Sequence, residues 1–224
     1  MTIAAVALYG SQARGDAVSG SDVDLLMITD EDHARHVSMG TLSIYLYPWT
    51  SLLRDAQAGD LFLCHIVREA RSLHDPENRL GSLAGAFRFK PNYADEIRKA
   101  SDLAWYLANF PDTLDGALGA KRVAWTVRTI LIARAAERHS PCFAADALVA
   151  FSGLPLVGTL IGRKDEQYIA EDTPNLLACF LQHYGLPAPI RDGSPADYHA
   201  YFAVNRNDVA LQTLRTDLQD NFYS

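Results

Sequence analysis

Two short apolar runs bracket a glycine- and serine-rich stretch near the start of the chain, and that juxtaposition restricts the fold more than any bulk property. Ile3-Ala-Ala-Val-Ala-Leu8 leads into Gly10, and Val23-Asp-Leu-Leu-Met-Ile28 begins directly after Ser21-Asp22. Both runs have the length and composition of strands, and the glycine-rich segment between them reads as a turn. A third run, Leu42-Ser-Ile-Tyr-Leu-Tyr47, is stopped by Pro48, whose ring removes a ladder donor. Between the second and third runs, Glu31 to Val37 predicts a short helix capped by Asp30.

From Thr50 onward the pattern turns helical. Leu52 to Ala58 runs up to Gly59, and Asp60 is placed to cap a helix through Leu61, Cys64 and Val67. Arg71 to His74 reads as a brief extended piece cut off by Asp75-Pro76. Tyr93 to Phe110 carries one apolar stripe of Ile97, Ala100, Leu103, Ala104 and Leu107, and Leu118 to Ala136 forms a second long helix ended by Pro141. Gly85 and Pro91 interrupt the pattern. The expected architecture is therefore α+β: a small mixed β-sheet domain over residues 1–88, followed by an α-helical C-terminal domain over residues 89–224.

With 224 residues and 49% hydrophobic content there is material for a sizeable core. The formal net charge of -7 argues against a broad basic surface for long nucleic acid, while leaving room for a local basic cleft. Cys64, Cys142 and Cys179 are far apart, odd in number and set among apolar residues, which suits reduced thiols rather than disulfides or zinc. Met1 to Tyr9 lacks a basic leader, and no apolar run approaches a membrane span. The expectation is a cytoplasmic protein with no membrane partner.

The chemistry concentrates in Gly10 to Leu26. On a strand Asp22 and Asp24 project to one side and Val23, Leu25 and Met27 to the other, so the first pair is expected to make a carboxylate clamp and the second set to pack a core. Such a clamp suits magnesium, a hard cation that keeps waters and substrate phosphates in its shell. Gly10 lets the backbone turn tightly and leaves a phosphate room to approach. The Ser11 hydroxyl and neighbouring backbone N–H groups can donate to phosphate oxygens, and Arg14 offers a guanidinium fork to the same charge. Ser21 stands directly before the carboxylates, where it can orient the loop or contact substrate.

The ordered set Gly10-Ser11, Arg14-Gly15-Asp16 and Ser21-Asp22-Val23-Asp24-Leu25 resembles the signature of the DNA polymerase β-like nucleotidyltransferase superfamily. It is similar to the small minimal nucleotidyltransferases and to the antibiotic nucleotidyltransferases, in which a helical domain follows the catalytic one. The resemblance covers about residues 5 to 28. It implies a metal-dependent nucleotidyltransferase (an enzyme) that uses an NTP such as ATP with Mg2+ or Mn2+. A nucleoside monophosphate would pass to a hydroxyl-type acceptor with release of pyrophosphate. Asp22 and Asp24 would be the catalytic metal ligands, and Gly10, Ser11, Arg14 and Ser21 would bind the NTP. Lys121, near the start of a helix in the second domain, would add a basic contact to the triphosphate. The acceptor stays open among a small molecule, a protein side chain and an RNA end.

One departure stands out. The superfamily usually carries a third acidic residue on a later strand, where it helps hold the metal and activates the attacking hydroxyl. The strand expected to carry it, Leu42 to Tyr47, presents Ser43, Tyr45 and Tyr47 on one face and no carboxylate. A base from elsewhere, such as His65, Glu69 or Asp60, is one answer. The alternative is a catalytically impaired nucleotide-binding module of regulatory or antitoxin-like kind. Elsewhere, Arg134 to His139 matches the Arg-x4-His spacing of HEPN-type ribonucleases, although positions five apart lie about 140° around a helix. His33 and His36, in a charged segment, read as solvated.

Overall fold

The computed structural model describes residues 2–17 and 20–220. It divides into two compact units, residues 1–91 and 92–224.

The first unit is built on a five-stranded mixed sheet in the order β3-β4-β2-β1-β5. The strands are β1 (Ile3–Tyr9), β2 (Val23–Thr29), β3 (Arg35–Met39), β4 (Leu42–Pro48) and β5 (Arg71–His74). A single helical turn, α1 (Gly10–Arg14), follows β1. After β4 come α2 (Trp49–Gln57), α3 (Leu61–Glu69) and α4 (Arg79–Ala86). β1 is antiparallel to both β2 and β5, whereas β2 and β4 run parallel. The expected α+β class is what the chain adopts.

All the covering helices lie on one side of this sheet. Ala5, Ala7 and Tyr9 of β1 and Leu26 and Ile28 of β2 pack against Leu52 and Ala56 of α2, Leu63 and Ile66 of α3 and Leu83 of α4. α3 starts where the sequence places it: Asp60 accepts hydrogen bonds from the backbone N–H groups of Phe62 and Leu63 at 2.8 and 3.1 Å. Burial raises the pKa of Asp60 against the opposing effect of those two bonds. Asp60→Ala is expected to lower stability by about 1 kcal/mol, read as a shifted denaturant midpoint with unchanged slope.

Two expectations are corrected here. Residues 31–37 do not form a helix; Arg35–Met39 is an edge strand paired antiparallel with β4, with His36 opposite Tyr45 and Ser38 opposite Ser43. The two-residue connection Gly40-Thr41, with Gly40 at φ +60, is a tight hairpin. It sets this register, and pairing to the open edge of β4 outweighs a weak local helix propensity. Asp30, expected as the cap, instead accepts from the Thr2 backbone N–H at 2.7 Å. The second correction concerns β2. Val23, Leu25 and Met27 are only half-buried, while Leu26 and Ile28, on the Asp24 side, are fully buried. The helices cover the face that carries Asp24, so core and carboxylate share one side.

The second unit is helical: α5 (Ala94–Asn109), α6 (Gly116–Glu137), α7 (Ala145–Ser152), α8 (Pro155–Gly162), α9 (Thr173–Tyr184), α10 (Pro195–Val204) and α11 (Asp208–Asp220). The α5 stripe of Ile97, Ala100, Leu103, Ala104 and Leu107 is buried together with Val127, Ile130 and Leu131 of α6 and Leu177, Phe180 and Leu181 of α9. Tyr106 packs edge-on against Tyr198 and Phe202, so this aromatic group belongs to a core. Cys64, Cys142 and Cys179 are all free. No helix among the described residues is long and apolar enough to cross a membrane.

Candidate active site

Gly10, which directly follows β1, and Asp24, the aspartate of β2, lie against one another. Tyr9 pairs with Asp24 across the β1–β2 ladder, and the next residue, Gly10, takes φ +72. A Cβ built on Gly10 would lie 2.6 Å from Asp24 Oδ2. Only a glycine permits this backbone angle without strain and also leaves the Asp24 carboxylate its place. Ser11 is half-buried on α1, and Ser21 is half-buried just before β2. Asp22 precedes the strand and is exposed, whereas Asp24 is half-buried.

Around Asp24 the sheet face is aromatic. Ser43 is its register partner on β4. The Tyr9 ring stands edge-on to Tyr45, Phe62 and His65, at centroid distances of 6.4, 5.7 and 5.6 Å. Burial, and then the nearby Asp24 charge, push the Tyr9 phenol well above its ordinary pKa. The same two causes, in the same order, raise Tyr45. Both phenols therefore stay protonated beside the carboxylate.

Arg14 is placed differently from a guanidinium open to solvent. Its Nη1 donates to Glu69 Oε2 at 2.6 Å, and its Nε lies 3.0 Å from Asp16 Oδ2. His65 Nε2 shares a 2.9 Å hydrogen bond with the same Glu69 oxygen. Burial opposes the Glu69 charge, but the hydrogen bonds from His65 and Arg14 outweigh it and hold the carboxyl below its usual range. This network ties α1 to α3. Because the folded pKa is depressed, its stabilisation is complete above the ordinary glutamate value of about 4.3 and is lost as pH falls through the lower folded value. Glu69→Gln is expected to cost about 1–3 kcal/mol at neutral pH and to flatten the acid limb of stability, measured by urea unfolding across pH.

The bases suggested by sequence thus have structural partners: Glu69 pairs with Arg14 and His65, and Asp60 caps α3. What sequence reasoning missed is His36. Placed on β3 rather than in a solvated helix, its ring stacks on Tyr45 at 4.3 Å, and its Nε2 shares a 2.8 Å hydrogen bond with Ser43 Oγ. The alternation of Arg35, Val37 and Met39 with His36 and Ser38 ahead of Gly40 was the available signal for a strand.

In the second unit, Lys121 is exposed on α6. Arg134 pairs with Glu137 at 3.3 Å and donates to the Tyr184 carbonyl, while His139 lies past the helix end at φ +55.

A tight Gly-Ser turn is thus set against a strand carboxylate on a small mixed sheet. The comparison with known families makes the class specific. Residues 2–84 match the family described as a nucleotidyltransferase domain. This supports nucleotidyl transfer as the general function, with a nucleoside triphosphate as substrate. A solved structure of a nucleotidyltransferase-like protein from Exiguobacterium sibiricum 255-15 is similar over 82% of this chain and 68% of that one, with 17% identity and a TM-score of 0.34. No curated protein matches the chain.

Proposed function

We propose that the chain is an active nucleotidyltransferase that moves a nucleoside monophosphate from an NTP to a hydroxyl-type acceptor and releases pyrophosphate. The observation that carries this reading is the Gly10–Asp24 contact inside the family segment: a close backbone approach beside a carboxylate serves phosphate and cation chemistry. Among the described residues no group of three or more His, Cys, Asp or Glu is arranged to hold a metal. Two carboxylates nevertheless suit Mg2+, which commonly binds through one or two protein carboxylates plus substrate phosphates and water.

Asp22 and Asp24 are the residues that would hold the cation, and Mn2+ would fit the same oxygen donors. When bound, the cation neutralises phosphate charge and orients the in-line displacement. Gly10 admits the triphosphate to the backbone, and Ser11 and Ser21 offer hydroxyl donors. Arg14 acts in this reading chiefly by fixing α1 through Glu69 and Asp16, with its positive charge directed at the phosphates as a second contribution.

The test is incubation with each NTP labelled on the α-phosphate, with Mg2+ or Mn2+ and with fractionated lysate as acceptor pool. Label should pass to the small-molecule, protein or RNA fraction with the parent chain and not with the Asp22→Ala/Asp24→Ala variant. Metal-dependent NTP binding without any transfer would instead establish the regulatory module.

A further inference from the structure

Any hydroxyl that attacks an α-phosphorus must give up its proton, and the face around Asp24 contains few groups able to take it. The Tyr9 and Tyr45 phenols are held in their protonated form. Glu69 is committed to Arg14 and His65, and Asp60 to the start of α3. One pair has the right chemistry. Ser43 sits beside Asp24 in the parallel β2–β4 register, and its hydroxyl is hydrogen-bonded to His36 Nε2 at 2.8 Å. Stacking on Tyr45 fixes the plane of the imidazole, and His36 is exposed, so a proton received there has a route to water.

We infer that Ser43 and His36 together form the proton-accepting pair for the attacking hydroxyl; this rests on the transfer reaction proposed above. The acceptor oxygen forms its bond to the α-phosphorus while the bond from that phosphorus to the pyrophosphate oxygen breaks, and the leaving pyrophosphate keeps the electron pair. The acceptor's proton moves to Ser43 Oγ as the Ser43 hydroxyl proton moves to His36 Nε2. Serine is left neutral, and the imidazolium discharges its proton to solvent. A strand without a carboxylate thereby obtains a base from its edge neighbour, the β3 hairpin.

The experiment compares His36→Gln, Ser43→Ala, Ser43→Asp and the Ser43→Asp/His36→Gln double variant with the parent. The probes are the α-labelled NTPs with lysate as acceptor, and unfolding midpoints are followed in parallel. His36→Gln and Ser43→Ala are each expected to lower apparent kcat by about a hundredfold or more, with little change in the KM for NTP. Ser43→Asp supplies a carboxylate at the same strand position, so in that background His36→Gln should no longer matter. Parent-like kcat in His36→Gln or Ser43→Ala overturns the inference, as does a loss of kcat in the double variant equal to that of His36→Gln alone. Those results leave the transferase reading intact, because transfer by the parent is scored in the same assay, with the Asp22→Ala/Asp24→Ala variant run beside it as the blank. A parent that transfers nothing defeats the transferase reading itself.

Discussion

Asp24→Asn is expected to eliminate transfer while leaving the fold in place. The side chain is half-buried at the start of β2, and the amide is nearly isosteric, so the ladder to Tyr9 and Ser43 is kept. What disappears is the negative charge that, with Asp22, would balance a cation against the triphosphate. Losing charge stabilisation of several kcal/mol corresponds to about a thousandfold fall in rate or more. The measurement is label transfer alongside a denaturant unfolding curve. A variant with parent-like transfer would show that Asp24 has no part in the chemistry. A variant that is silent because it has unfolded would be recognised from its unfolding curve.

The second large effect is expected at Gly10. Gly10→Ala forces an L-residue to φ +72, which costs about 1–2 kcal/mol, and places a methyl group 2.6 Å from Asp24 Oδ2. The carboxylate must swing away or the turn must open. Gly15→Ala separates the two causes, because Gly15 has φ +84 but a methyl group there would meet no atom within 4 Å. Both substitutions should lower the unfolding midpoint to a similar degree through backbone strain. Only Gly10→Ala should also remove most of the transfer, by displacing Asp24. Equal retention of transfer in both would mean that the close approach of glycine to carboxylate is not needed for the reaction.

Much of the frame is legible from the chain alone. Local rules suffice for β1, β2 and β4, which are short, mainly apolar runs, and for α3, whose cap Asp60 announces its start. The stripe of α5 is equally plain, because helical period and burial coincide there. The misreadings share a cause, which is that they depend on pairing between distant segments. Residues 31–37 look helical alone, and a strand forms at Arg35–Met39 instead because β4 offers an open edge and Gly40-Thr41 closes a hairpin. In β2, alternation defines two faces, but it does not say which one the helices cover. The contact of Gly10 with Asp24 lies within the motif that sequence singles out. The meeting of His36 with Ser43 cannot be seen without the β3 register. Nor can the attachment of Arg14 to Glu69, which joins residues 55 positions apart in the chain.

The side of the sheet that buries Leu26 and Ile28 also presents Asp24, so the core and the proposed cation ligand share one layer. A methyl group added or removed beneath β2 would change the packing and, with it, the position of the Asp24 carboxylate. The half-open reverse face, with Leu25 and Met27, is where substitutions can accumulate at lower functional cost. Directed evolution aimed at a more stable variant should begin there, on the side of the sheet away from the carboxylate.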